Sequence, residues 1–295
     1  MEDSAVDKIF LPIKVHAVKL EYLRLKLEKM PHGYFNRRRG QSVVVVTYEP
    51  DNPKCSSKRP RIFFTSTKRG KLYTEIINGY LNIKKEFDYL LTRWNSTYCF
   101  APPRVKFPIK QFHDPHHMNN AYYESQKEKQ GKYVPDNPTI SEYGEFKSKN
   151  ELMAATALKQ MDIPFKYETE LYIEETDEKI NPDFLINFFE IDRCSYLEVL
   201  GMNDKGDYAV RTSAKINSYS RGEYRPGREV IYVLMYDKYN FDEVYFIQQV
   251  LSAFDSMIPD SALEWGNDVC LAQLSSSDES CGNTTLGYIS FTSTA

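Results

Sequence analysis

Asn181-Pro182-Asp183-Phe184-Leu185-Ile186-Asn187-Phe188-Phe189-Glu190-Ile191-Asp192-Arg193-Cys194-Ser195-Tyr196-Leu197-Glu198-Val199-Leu200-Gly201 is the stretch on which the reading of this chain turns. Residues 183–189 and 195–200 are apolar runs of strand length, and a turn fits between them near 190–192. A hairpin closed there sets Asp183 opposite position 198 or 200. Side chains alternate with a period of two, so either register puts Asp183 and Glu198 on one face. Glu198 stands among Leu197, Val199 and Leu200, where a carboxylate without a partner is costly. Two neighbouring carboxylates repel and raise each other's pKa. A divalent cation with oxygen ligands removes that cost, so Mg2+ or Mn2+ is the expected occupant. Zinc would ask for nitrogen or sulfur ligands, and none stands nearby in sequence. Plainer readings stand beside this one: Asp183 opening a strand after proline, and Glu198 turned outward.

Working outward, Ser148 can cap a helix over 148–161, with Leu152, Ala155 and Leu158 on its apolar face and Pro164 just beyond. Strands are expected at 165–173, 183–189, 195–200 and 229–236, with a helix at 207–221 between the last two and a closing helix at 241–254. The order is α-β-β-β-α-β, an α/β core with a mixed central sheet flanked by helices. Tyr208, Arg211, Lys215 and Tyr219 fall at i, i+3, i+7 and i+11 and share one helix face. Glu151 sits in the first turn of the 148–161 helix, where the helix dipole alone also favours an acid.

Upstream, residues 1–95 read as a small helix–hairpin–helix module. Leu20, Leu23, Leu27 and Met30 mark one helix; 43–47 and 61–65 mark two strands; Tyr80, Phe87 and Trp94 mark a second helix and belong to its core side. Proline-rich residues 96–147 read as a connector, 148–258 as the main domain, and polar residues 259–295 as a loose tail. The basic runs Arg37-Arg38-Arg39 and Lys58, Arg59, Arg61, Lys68, Arg69, Lys71 contain no acid within each run. They suit a phosphate backbone or, equally, a solvated hairpin edge. His113-Asp114-Pro115-His116-His117 lies in the connector without a second group of ligands and reads as a polar loop.

With 41% hydrophobic and 27% charged residues the chain can build a sizeable core as a soluble protein. No apolar run is long enough for a membrane helix, and Met1 to Lys8 lacks the layout of a signal peptide, so an intracellular setting is expected. The five cysteines are scattered and never form a CxxC pair, which argues against a disulfide framework or a zinc finger. A net charge of -3 leaves a nucleic-acid partner to be decided by local charge.

The element order and the acids resemble the PD-(D/E)XK nuclease superfamily, which has the restriction-endonuclease-like fold. Ser148-Lys149-Asn150-Glu151, Ile163-Pro164-Phe165-Lys166-Tyr167-Glu168, Pro182-Asp183-Phe184, and Glu198 with Gly201 look like a bacterial branch of it. Val199 stands where that branch has a histidine, and Leu200 where the superfamily has its lysine. Taken with the leading module, the likeness covers most of residues 15–237. It implies a nuclease that hydrolyses phosphodiester bonds, most readily in DNA, and that can pair with a second copy to cut two strands. It further implies that Asp183 and Glu198 hold Mg2+ or Mn2+, that Glu151 ligates metal or water, and that Glu168 supports from behind. Lys215 would replace the lysine missing at Leu200, while Arg211 and Tyr219 would touch phosphate or sugar. A catalytically silent nuclease fold that binds nucleic acid or a protein is the alternative.

Overall fold

The computed structural model describes residues 9–110, 114–129, 131, 139–142, 144–201, 206–235 and 241–266. Its helices are α1 (Ile13–Glu28), α2 (Lys68–Thr97), α3 (Asn120–Ser125), α4 (Lys149–Gln160), α5 (Gly206–Arg221) and α6 (Glu243–Ser256). Its strands are β1 (His32–Arg38), β2 (Gln41–Tyr48), β3 (Arg61–Phe64), β4 (Arg104–Val105), β5 (Thr139–Ser141), β6 (Gly144–Phe146), β7 (Phe165–Tyr167), β8 (Leu171–Ile173), β9 (Glu178–Ile180), β10 (Phe184–Phe188), β11 (Arg193–Leu200), β12 (Val230–Leu234) and β13 (Leu263–Glu264). The chain is mixed α/β, with several small sheets.

The largest sheet has the order β12-β11-β10-β7. β10 pairs antiparallel with β11 and β7, whereas β11 and β12 run parallel, joined through α5. Every residue of β11 is buried, as expected of a strand with neighbours on both edges and packing on both faces. One face carries Phe184, Ile186, Phe188, Leu197 and Val199 against α1, α4 and α6; Phe188 stacks on Phe254 of α6 with centroids 4.5 Å apart. The other carries Leu185, Cys194 and Tyr196 beneath Tyr219 of α5 and Tyr123 of α3. The period-2 alternation of β10 and β11 thus feeds two apolar layers.

The expected single strand at 165–173 is two. Glu168 adopts a left-handed backbone (φ 50°) and its N–H donates to the Asp183 carbonyl at 3.1 Å. That kink ends β7 in the central sheet and sends β8 to pair with β9 instead. The N-terminal segment has three strands rather than two: β1 pairs with β2 along its length, although its exposed Asn36-Arg37-Arg38 end carries no apolar alternation. α1 begins at Ile13, earlier than its leucine spacing suggests, and buries Val15, Ala17, Val18, Leu20 and Leu23 in the same cluster as Phe188 and Phe254. Within 96–147, β4 pairs with β13, and Met118 and Tyr123 are buried beneath the central sheet. Of the expected polar tail, residues 267–295 lie outside the described residues, as does His113.

Candidate functional site

The β10–β11 ladder pairs Phe184 with Leu197, so one step further Asp183 faces Glu198. The two acids share the face of the sheet that α5 covers. Pro182 is tolerated at the mouth of β10 because a strand's first residue can lack a ladder donor. Asp183 is fixed by its own hairpin: Val199 N–H donates to its Oδ2 at 2.8 Å.

Glu198 is 1% exposed and both its oxygens are held by α5. Lys215 Nζ donates to Oε2 at 2.6 Å and Tyr219 Oη to Oε1 at 2.5 Å. The same Lys215 Nζ donates to the Asn181 carbonyl at 2.8 Å, tying the helix to the Asn-Pro-Asp turn. Burial pushes the Glu198 carboxyl up to about 7; the Lys215 charge opposes that rise and the Asp183 charge adds to it.

Glu151 arrives from the opposite layer, on the first turn of α4. Ser148 caps that helix, its Oγ accepting from Glu151 N–H at 3.2 Å and donating to Glu151 Oε1 at 2.9 Å. Oε2 accepts from Lys147 N–H at 3.0 Å and from Tyr167 Oη at 2.5 Å. This is a variant of the reciprocal capping arrangement of Ser and Glu three residues apart. Burial, and then the Asp183 charge, raise the Glu151 carboxyl above its ordinary range. Glu151 and Asp183 therefore feel each other, as do Asp183 and Glu198.

Glu151, Asp183, Glu198 and Lys215 thus come from four elements to one end of the sheet. The three acids expected to hold a metal do not close up into one ligand set. Among the described residues no three His, Cys, Asp or Glu side chains gather closely enough to form a metal site as they stand. The reason is visible: Glu151 is turned to its helix cap and Tyr167, and Glu198 to Lys215 and Tyr219. Tyr219 needs a correction. It is fully buried, with its hydroxyl on Glu198, and cannot reach phosphate or sugar in solvent. Arg211 is exposed on the same helix, and the Tyr208 side chain lies outside the described residues. Glu168 is engaged by Lys147 in an ion pair rather than by an acid of the site. Arg37, Arg38, Arg39, Lys68 and Arg69 are exposed on the N-terminal segment.

The residues that sequence reasoning missed are Tyr167 and the inward role of Tyr219. The signal for Tyr219 was present, because it lies one turn beyond Lys215, and whatever aims Lys215 at Glu198 aims Tyr219 there too. A cavity of about 460 Å³ lies elsewhere, between Leu11, Lys19, Leu90, Arg93, Met161 and Leu251; none of the four site residues lines it. Asp114 of the histidine-rich loop pairs with buried Arg193 at 2.5 Å, and His116 stacks on Tyr224. No described helix is long and apolar enough to cross a membrane. No protein-family model, curated protein or solved structure matches the chain.

Proposed function

We propose that this chain is a divalent-metal-dependent nuclease that hydrolyses phosphodiester bonds in DNA, on a restriction-endonuclease-like core. One observation carries the reading: Lys215, from the helix after β11, reaches Glu198 at 2.6 Å while Asp183 faces Glu198 across the hairpin. The sequence lacks a lysine at Leu200, and α5 supplies one to the same acid from a different direction.

The donor set suits a hard cation. Asp183 and Glu198 are oxygen donors side by side, and their mutual repulsion is part of what raises the Glu198 carboxyl. Mg2+ is commonly held by one or two carboxylates together with water and substrate phosphate, so these two suffice as its protein ligands. Glu151 adds negative charge beside Asp183 and, tied to its cap, steadies the site. When bound, the cation would supply Lewis acidity toward a phosphoryl oxygen. The chain's own work is then positional and electrostatic. Lys215 places an ammonium beside the acids, where it can stabilise charge developing on phosphate. Val199 N–H holds Asp183 in orientation, and Tyr219 holds Glu198.

A second reading has one observation in its favour. Glu198 is already paired with Lys215 and hydrogen-bonded by Tyr219, which is how a silent nuclease fold that only binds nucleic acid or a protein would store a buried acid. Incubation of wild type and Asp183→Ala with DNA and RNA substrates in Mg2+, Mn2+ or EDTA separates the two. Divalent-dependent cleavage of DNA that disappears in the variant supports the nuclease. Binding without cleavage in every condition leaves the silent fold.

A further inference from the structure

The three-stranded N-terminal sheet has a face that the acidic site does not use. Tyr34, Val45 and Ile62 form one cross-strand row, and Asn36, Val43 and Phe64 the next. Val44, Val46 and Phe63, of opposite parity, pack on Ile77 and Tyr73 of α2. The first two rows therefore point away from the helix. Tyr34 is 48% exposed, Ile62 39% and Phe64 37%, whereas Val43 and Val45 are buried between them.

The fold also brings positive charge to one end of that face. Arg38 pairs with Gln41 at the β1–β2 tip, and Thr65 N–H donates to the Ser42 carbonyl at 3.1 Å. The tip with Arg37, Arg38 and Arg39 thus meets the start of α2 with Lys68, Arg69 and Lys71, and all six side chains are exposed. No acid occurs between Glu28 and Glu49 or between Asp51 and Glu75. Glu49 is buried against Arg61 and Tyr73, so Arg61 is already engaged. The first turn of α2 holds no acid, and its lysines and arginine oppose the helix dipole. Guarding a sheet edge would spread such charges along β1 and β3. Here six of them collect at one end, beside exposed rings, while Lys58 and Arg59 are exposed at the other, where β3 begins.

We propose that the exposed side chains flanking this face form a docking platform for single-stranded DNA, with Tyr34 and Phe64 stacking on bases and the basic end holding phosphates. Rings can stack only on bases whose faces are free, which a duplex hides, and a basic groove beside aromatic residues is the general form of single-strand binding. The choice of DNA over RNA rests on the proposed function. The platform shares no residue with the acidic site, so its variants raise KM for a single-stranded substrate and leave kcat unchanged.

The test is equilibrium binding of the full chain, in EDTA, to fluorescein-labelled oligothymidylate, a duplex of equal length and oligouridylate. Oligothymidylate is expected to bind at least tenfold tighter than duplex and no weaker than oligouridylate. Tyr34→Leu and Phe64→Leu keep apolar bulk but remove the ring, and each should lose roughly tenfold, while Tyr34→Phe retains affinity. Replacing Arg37, Arg38 and Arg39 with Ala should lower the slope of log affinity against log salt by about 2. Unchanged melting temperatures keep folding out of the comparison. The proposal is overturned by equal or tighter duplex binding, by preference for oligouridylate, or by Leu variants of undiminished affinity. A dimer that the Leu variants dissociate overturns it too, assigning the face to a second copy. Asp183-dependent cleavage without this binding leaves the nuclease standing and removes the platform; binding without any divalent-dependent cleavage does the reverse.

Discussion

Lys215 Nζ stands 2.6 Å from Glu198 Oε2, so the helix that leaves β11 returns to neutralise an acid buried in that strand. Removing one partner of such a pair leaves the other charge buried without compensation. Lys215→Ala should therefore destabilise the chain by about 2 kcal/mol, below the usual range for a buried pair because the lysine keeps partial contact with water. Urea unfolding measures it. The double variant Lys215→Met with Glu198→Gln should regain most of the loss, since no charge is then left behind; a double variant as unstable as the single one would show that the helix is held by something else.

The pH dependence of stability follows from the same acid. The folded chain holds the Glu198 carboxyl at about 7 against an ordinary 4.5, chiefly through burial. As pH falls, the folded state takes up this proton before the unfolded state does. The group's contribution is thus complete below its unfolded value and is lost as pH rises through about 7; Glu151 shifts in the same direction. Wild type should lose stability relative to Glu198→Gln by up to about 1.4 kcal/mol per pH unit between pH 5 and 7. A flat difference between the two curves would remove the argument. Cation affinity, if Glu198 is a ligand, should rise over that same window as the carboxyl loses its proton.

Much of this site could be read from the sequence because strand geometry is local. The parity that joins Asp183 to Glu198 depends only on the turn near 190–192, whereas helical repeat places Lys215 on a common face with Tyr219 and only the family resemblance aims it at the acids. What could not be read depended on backbone choices or on contacts distant in sequence. Glu168 in the left-handed region splits a segment whose side chains alternate like one strand. Met118 and Tyr123 reach the core from a proline-rich stretch without periodicity. The burial of α1 against Phe188 and Phe254 joins residues far apart along the chain, and no pattern within 1–95 reports it.

Asp183 supports β11 as well as carrying charge. Its Oδ2 accepts from Val199 N–H at 2.8 Å, so Ala at this position orphans a backbone donor beside the central strand. Asp183→Asn keeps an acceptor there and removes only the charge. Both variants should lower DNA cleavage by at least about 100-fold if the acid is a metal ligand. Only Asp183→Ala should also cost about 1–2 kcal/mol of stability. Relief of the Asp183 charge should in addition bring the Glu151 and Glu198 carboxyls down in both variants, since that charge raises each of them. Carbonyl-labelled NMR titration reads those shifts; unchanged values in Asp183→Asn would mean that the three acids do not share a site.

A buried ion pair fastens the N-terminal helix to the central sheet. Lys19 of α1 donates to Glu190 Oε1 at 2.7 Å, and both side chains are nearly inaccessible. Burial works against the Lys19 charge, yet the Glu190 carboxylate more than offsets it and leaves the ammonium above its usual range. Glu190 lies in the turn of the β10–β11 hairpin, so this pair fastens α1 to the end of the hairpin away from Asp183. Glu190→Ala leaves a buried ammonium and should cost about 3 kcal/mol or more, with α1 and the sheet unfolding in one transition. Lys19→Met with Glu190→Leu replaces the pair by apolar bulk among Phe189 and Phe254, whose rings Lys19 already approaches at 6.0 Å, and should be near neutral or stabilising. Two separate transitions in Glu190→Ala, one monitored at Trp94 and the other by exchange of the β11 amides, would instead define the first 95 residues as an independently folding unit.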